Sequence, residues 1–368
     1  MRPSLPFLAL VLCGCVRNPA TGKLQLNLLS ESQEVELGKQ AKQEAEQAYG
    51  VYQEKPQLNG YVEGIGKQLA AKTDRPNLPW SYEIVDDASV NAFALPGGPI
   101  FITRGILAHL NSEAQMAAVL GHETGYVAAR HSANQLSKQQ VAQLGLGIGS
   151  VLSPVVSSVA GVASVGLSVL FLKFSRDDET QADELGFRYM TKVGYDPTQM
   201  IPLFEMLDRV SKREGVGKTP EWLQTHPDPG NRLAETQKRL KTELKGSTQG
   251  MKVEREKYLQ MIDGIVYGED PRQGYFKGDT FYHPELKFQW KLPSGWKHQN
   301  TPQAVAAASP KEDAILQLQV AGKMSPDEAA QKLFSQQGIK AGQPVNVKGA
   351  GSESTSAILS SSISARRM

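Results

Sequence analysis

Apolar positions recur at helical spacing early in the chain. Leu58, Tyr61, Val62, Ile65 and Leu69 define one amphipathic helix. Ser30 followed by Gln33 reads as a capping box that opens an earlier helix, running to about Ala48. Asp74 to Pro79 holds two prolines and breaks the helical pattern. The period then changes. Ser81 to Val85 alternates as a strand does, and Asn91–Leu95 and Ile100–Thr103 flank Pro96-Gly97-Gly98-Pro99, which predicts a hairpin. Ser112 with Gln115 opens a long helix, and Ser175 with Asp178 opens another. Between them, Val141 to Leu172 contains no charged residue over 32 positions. That stretch could be read as a transmembrane helix. Five glycines, six serines and Pro154 favour helices or a lid packed beside the active site, near a membrane surface.

The pattern changes again after Lys245–Gly250, which reads as a linker. Phe281–Leu292 and Ala314–Val320 look like strands, and Ser325-Pro326 with Gly338 brackets a short helix. Gly349 to Met368 carries seven serines and no periodicity, the composition of a disordered tail. The expected organisation is a leader over 1–14, a main domain over 15–244 and a linker or helix over 245–274. A small α+β domain over 275–347 and a tail over 348–368 follow.

Composition narrows the functional classes. The 368 residues allow two or three domains at about 150 residues each. Lys+Arg 40 against Asp+Glu 38 gives a net charge of +2, without the basic excess of a dedicated nucleic-acid binder. The two cysteines, Cys13 and Cys15, exclude a disulfide scaffold or a cysteine-rich zinc module. Leu5–Leu12 is an apolar run far shorter than the about 20 residues that span a bilayer. It suits a secretory signal. Leu12-Cys13-Gly14-Cys15 resembles the lipobox of bacterial lipoproteins, which implies cleavage after Gly14 and lipid on Cys15. A buried N-terminal strand with two incidental thiols is the competing reading. Val16 is not the aspartate that retains enteric lipoproteins on the inner membrane, so sorting to the outer membrane is expected.

The chemistry concentrates in Gly121-His122-Glu123-Thr124-Gly125-Tyr126. A helical peptidase zinc site reads His-Glu-x-x-His. Two imidazoles four residues apart are offset by about 40° on one helix face, so both reach one metal, with the glutamate as general base. Here the first half is present and Tyr126 stands where the second histidine would. His131 lies nine residues beyond His122, about 180° round the helix, and cannot substitute unless the helix breaks. His109, His283 and His298 read as structural or exposed.

Four further segments set the context: Asn91-Ala92-Phe93-Ala94-Leu95-Pro96-Gly97-Gly98, Val127-Ala128-Ala129-Arg130-His131-Ser132, Ser175 through Asp183, and Thr225-His226-Pro227. Together they resemble the zinc metallopeptidases of the CAAX-prenyl-protease and HtpX type, in their periplasmic lipoprotein branch, over about Asn18 to Arg232. The resemblance implies an α+β, mainly α gluzincin-type metallopeptidase domain with a small strand hairpin, followed by a small α+β C-terminal domain. It makes His122 the first zinc ligand, Glu123 the general base and Glu179 a carboxylate ligand from a second helix. Asp183, one turn on, holds a ligand imidazole by a hydrogen bond. His226 is a loop histidine able to reach the zinc, and Arg232 anchors that loop or stabilises the oxyanion. Asn91, Ala92, Phe93 and Ala94 form an edge strand that pairs with extended substrate. An ordinary hairpin, a solvated helix face at Glu179 and Asp183, and a simple turn at His226-Pro227 are the bland alternatives.

Tyr126 leaves three readings open. The chain binds zinc weakly through His122, Glu179 and His226, with or without Tyr126. Or it is a pseudopeptidase that binds unfolded envelope proteins without cutting them. Or Tyr126 is a variant in an otherwise active peptidase. A phenol is a poor replacement, being protonated near neutrality with an ordinary pKa of about 10. The expected function is a periplasmic, lipid-anchored zinc metalloendopeptidase acting on unfolded or misassembled envelope and outer-membrane proteins.

Overall fold

The computed structural model describes residues 15–145, 172, 174–213, 222, 226, 229–301, 304–311 and 313–319. It also describes 328, 331–332, 335, 346–347 and 356–357. The expected leader and most of the uncharged 141–172 stretch, of the 325–338 segment and of the tail lie outside the described residues. The chain divides into two compact units, Met1–Asp270 and Pro271–Met368.

The first unit is built on a three-stranded sheet of β3 (Ser81–Val85), β4 (Ala92–Ala94) and β5 (Pro99–Thr103), in the order β3-β5-β4. The expected hairpin is present, with Phe93 opposite Phe101. Beyond it, β3 adds in parallel on the far side of β5, with Ser81 opposite Pro99 and Val85 opposite Thr103. Side chains alternate between two cores. Tyr82, Ile84, Ile100 and Ile102 face the main core with Leu58, Val62, Ile65 and Leu69 of helix α2 (Pro56–Ala70). Val85, Phe93 and Phe101 face Ala41 and Ala45 of helix α1 (Glu31–Tyr49). Ser30 caps α1 in the box expected from the sequence.

A short helix α3 (Arg104–Leu107) leads to α4 (Glu113–Ala128), whose 16 residues are all buried. A helix enclosed on every side needs small and apolar residues all round rather than one apolar stripe. Its last carbonyls are satisfied from elsewhere in the chain. Arg75 Nη1 donates to Val127 O at 2.9 Å and Asn18 Nδ2 to Ala129 O at 2.6 Å. The expected long helix breaks here: Arg130 takes φ 57 and α5 (His131–Gly145) begins afresh. Asn18 opens the turn of an N-terminal hairpin of β1 (Cys15–Arg17) and β2 (Leu24–Leu26), with Cys15 opposite Leu26.

Helix α6 (Arg176–Val193) packs along α4 and ends at Gly194 in the left-handed region. Helices α7 (Met200–Arg213) and α8 (Pro229–Glu243) pack against each other. The expected 245–274 linker or helix belongs mostly to this unit. It contains α9 (Arg255–Ile262), whose Tyr258 is fully buried and donates to Leu107 O at 2.7 Å. Arg104 Nη1 donates to Gly268 O at 2.8 Å, which ties down the stretch before Asp270.

Among its described residues the second unit holds two antiparallel three-stranded sheets and a short pairing of Asn346–Val347 with Ser356–Ala357. One is β6 (Tyr275–Lys277), β7 (Thr280–His283) and β8 (Phe288–Lys291); the other is β9 (Lys297–Asn300), β10 (Ala304–Ala308) and β11 (Ile315–Gln319). The expected single strand over Phe281–Leu292 is a hairpin, because Pro284 withholds a ladder donor and Lys287 turns with φ 55. None of the described helices is long and apolar enough to cross a membrane.

Candidate metal centre

The centre exists because two helix backbones touch. A Cβ added at Gly186 of α6 would lie 2.9 Å from His122 N, and one at Gly125 of α4 would lie 2.8 Å from Ala182 O. With hydrogen at these positions, α4 and α6 close until Glu179 and Asp183 reach His122. His122 is 2% exposed, Glu179 2% and Asp183 6%, so neither carboxylate lies on a solvated face. His226 enters ahead of α8, its backbone N–H donating to Trp222 O at 2.7 Å. It is buried in the centre rather than sitting in a surface turn.

His122 Nδ1 lies 2.8 Å from Asp183 Oδ1. That bond assigns the proton to Nδ1 and aims the Nε2 lone pair inward. Nε2 lies 3.3 Å from His226 Nδ1 and 3.7 Å from Glu179 Oε2. Glu179 Oε1 lies 3.0 Å from His226 Nδ1 and accepts the Tyr126 hydroxyl. His226 Nε2 lies 3.6 Å from Glu123 Oε1. Arg232 grips Asp183 with two bonds of 2.7 Å, from Nε and Nη2, and places Nη1 3.3 Å from Glu179 Oε2. Its guanidinium also stacks 4.6 Å over Phe204. Arg232 is thereby tied to two residues of α6.

Electrostatics follow from burial. Loss of water, with the Arg232 charge adding to it, pushes His122 down to about 4, so its imidazole is neutral near pH 7. Burial pushes Glu123 up to about 7, against the pull of His226, which suits a proton acceptor working near neutrality. Burial opposes ionisation of Glu179 and Asp183 as well. The charges of His226 and Arg232 outweigh it at Glu179, and that of Arg232 at Asp183, so both stay below the ordinary range. Burial and the Glu179 charge hold the Tyr126 phenol well above its ordinary value, so it is a neutral donor.

One ligand atom each from His122, Glu179 and His226 lies within 4.8 Å of the others, and all three residues are buried. Glu179 Oε2 and Glu123 Oε1 have no hydrogen-bond partner among the described residues. Two imidazoles and a carboxylate, with room for a further group, are the donor set that zinc takes in hydrolytic sites. Tyr126 sits beside this set as a donor to Glu179. His131, freed by the helix break, pairs with Asp178 at 3.1 Å. Cys15 is exposed at the start of β1. Strand β4 forms the sheet edge and packs against α4, with Asn91, Ala92 and Phe93 buried and Ala94 half-buried. A cavity of about 440 Å³ between α6 and α8 is lined by Arg176, Glu179, Asp183, Arg232 and Arg239 among others. Gly125 and Gly186 were the structural residues missed in sequence. The signal for Gly125 was the Gly121-x-x-x-Gly125 spacing around His122.

A His-Glu pair on one buried helix, a carboxylate from a second helix and a buried loop histidine define a metallopeptidase centre. The chain belongs to peptidase family M48, which it matches over residues 56–240. Peptidases, the class this family model describes, are hydrolases of peptide bonds. Over 194 residues it is 28% identical to a putative beta-barrel assembly-enhancing protease of Vibrio cholerae, covering 50% of this chain and 40% of that one. It is 30% identical over 193 residues to the beta-barrel assembly-enhancing protease of Yersinia pestis, covering 50% and 39%. It is 31% identical over 185 residues to the mitochondrial metalloendopeptidase OMA1 of Schizosaccharomyces pombe, covering 47% and 50%. The chain thus spans half or less of the length of these relatives.

Proposed function

We propose that this chain is a zinc-dependent endopeptidase held by His122, Glu179 and His226, and that it cuts unfolded or misassembled envelope proteins. The observation that carries the reading is the convergence of those three buried ligand atoms within 4.8 Å, beside Glu123. Zinc bound there would acidify water and polarise the scissile carbonyl. Glu123 takes the proton of the attacking water and passes it to the leaving amine. Asp183 keeps His122 in the tautomer that faces the centre, and Arg232 keeps Asp183 and the His226 segment in place.

Strand β4 is the substrate rail. Thr103 N donates to Asn91 O at 3.1 Å and Leu95 N to Pro99 O at 2.8 Å. In antiparallel alternation this directs the peptide groups of Ala92 and Ala94 away from β5, where an extended substrate can add as a fourth strand. Binding through backbone suits unfolded clients of many sequences. The names of the two bacterial relatives support the assembly of beta-barrel proteins as the setting. The lipobox supports a periplasmic chain anchored through lipidated Cys15, sorted to the outer membrane. Casein hydrolysis by the mature chain carrying Cys15→Ser, with and without chelator and beside Glu123→Gln, tests the reading. Chelator-sensitive cleavage lost in Glu123→Gln supports it. Zinc binding and client binding without cleavage would favour the pseudopeptidase alternative, which the tyrosine at position 126 motivates.

A further inference from the structure

We propose that the Tyr126 hydroxyl is the positioning donor of this centre. It holds one oxygen of Glu179 so that the other faces His122, and it makes His226 indispensable as the third ligand. The inference rests on the metal-centre reading above.

The Tyr126 ring is wedged among His122 at 5.0 Å, His131 at 5.1 Å, Phe174 at 4.5 Å and His226 at 5.2 Å between centroids. It is 2% exposed. Its rotamer is therefore fixed, and its single O–H donor goes to Glu179 Oε1. The same oxygen lies 3.0 Å from His226 Nδ1, and that nitrogen lies 3.3 Å from the Tyr126 hydroxyl. His226 cannot both donate from Nδ1 to Oε1 and offer a Nδ1 lone pair to a metal. Once Nδ1 serves as a ligand atom, Tyr126 is the donor left on Oε1. Glu179 Oε2 makes no hydrogen bond among the described residues; it lies 3.7 Å from His122 Nε2, with the Arg232 charge 3.3 Å away. The carboxylate is thus divided into a held oxygen and a presented one.

A histidine at position 126 would instead offer its own nitrogen from the same helix face as His122. It would remove the donor on Oε1 and supply the third imidazole, leaving His226 redundant. A phenylalanine would keep the wedge and lose only the donor. The two substitutions therefore separate packing from positioning.

The experiment is zinc affinity by chelator competition on the mature chain carrying Cys15→Ser. Tyr126→Phe, Tyr126→His, His226→Ala and the Tyr126→His/His226→Ala double variant are measured beside it. Visible spectra of the cobalt-loaded chains and thermal midpoints of the metal-free chains are recorded as well. We expect Tyr126→Phe to bind zinc about 10- to 100-fold more weakly, the range for loss of a hydrogen bond to a ligand. Its cobalt spectrum should change while its metal-free midpoint stays put. His226→Ala should lose zinc and the double variant should regain it. Parent-like zinc affinity in Tyr126→Phe overturns the proposal while leaving the metal centre standing. If Tyr126→Phe does not fold, the double variant decides, and its failure to bind zinc overturns the proposal. A parent chain that takes no zinc overturns both this proposal and the metal-centre reading.

Discussion

In the proposed centre His122 is set up by two other side chains and by burial. Asp183 fixes the proton on Nδ1, Arg232 fixes Asp183, and burial keeps the ring neutral. Glu123 differs from these groups. Its Oε1 is buried without a hydrogen-bond partner among the described residues, so its basicity is unspent. Replacing Glu123 with glutamine keeps the shape and removes the base. Turnover should fall by about 10²- to 10⁴-fold, the usual share of a general base, with zinc content unchanged. Parallel casein assays and metal analysis on the purified variant check this. Parent-like turnover in Glu123→Gln would remove it from the chemistry.

At the scale of elements, the decisive contact is α4 against α6. Gly186→Ala would place a methyl 2.9 Å from His122 N, a distance at which backbone must move. Overpacking of this kind costs about 1–3 kcal/mol. Because it pries Glu179 from His122, zinc affinity should fall along with the thermal midpoint. Calorimetry and zinc competition on this one variant check both. Much of this element structure was legible in sequence. The caps at Ser30, Ser112 and Ser175 are local hydrogen bonds written in three or four adjacent residues, and the structure makes all three. The parallel pairing of β3 with β5 was not legible, because it joins segments 18 positions apart across an intervening strand, and the turn signal between them marks only the β4–β5 hairpin. The end of α4 was hidden for a similar reason. Its carbonyls are satisfied by Asn18 and Arg75, which are distant in sequence. Within the site, His122, Glu123 and Glu179 could be read from a motif. His226 was named from the Thr225-His226-Pro227 motif as well, whereas the bond from Tyr126 to Glu179 depends on tertiary folding alone.

Over the whole first unit, Glu113 acts as a clasp. It opens α4, yet it accepts from Tyr61 of α2 and Tyr195 beyond α6, each at 2.5 Å, and pairs with Lys257 of α9 at 2.8 Å. Burial alone would raise its carboxyl. The bonds from Lys257, Tyr195 and Tyr61 outweigh burial and hold it below the ordinary range. A folded value below the unfolded one, which is about 4.3, stabilises the fold fully above that pH. The contribution is lost as pH falls through the folded value. Glu113→Gln should therefore lower stability near neutrality and flatten the decline in acid. Urea unfolding at several pH values between about 2 and 7 reads this window, and a parallel shift of the whole curve would show that ionisation of Glu113 is not responsible.

The most direct test of the account is zinc per chain in the mature protein carrying Cys15→Ser, purified without chelator, beside the same chain with His226→Ala. The ligand set of His122, Glu179 and His226 predicts about one zinc per parent chain and little or none in His226→Ala. A parent chain without zinc, or His226→Ala with a full complement, would contradict it.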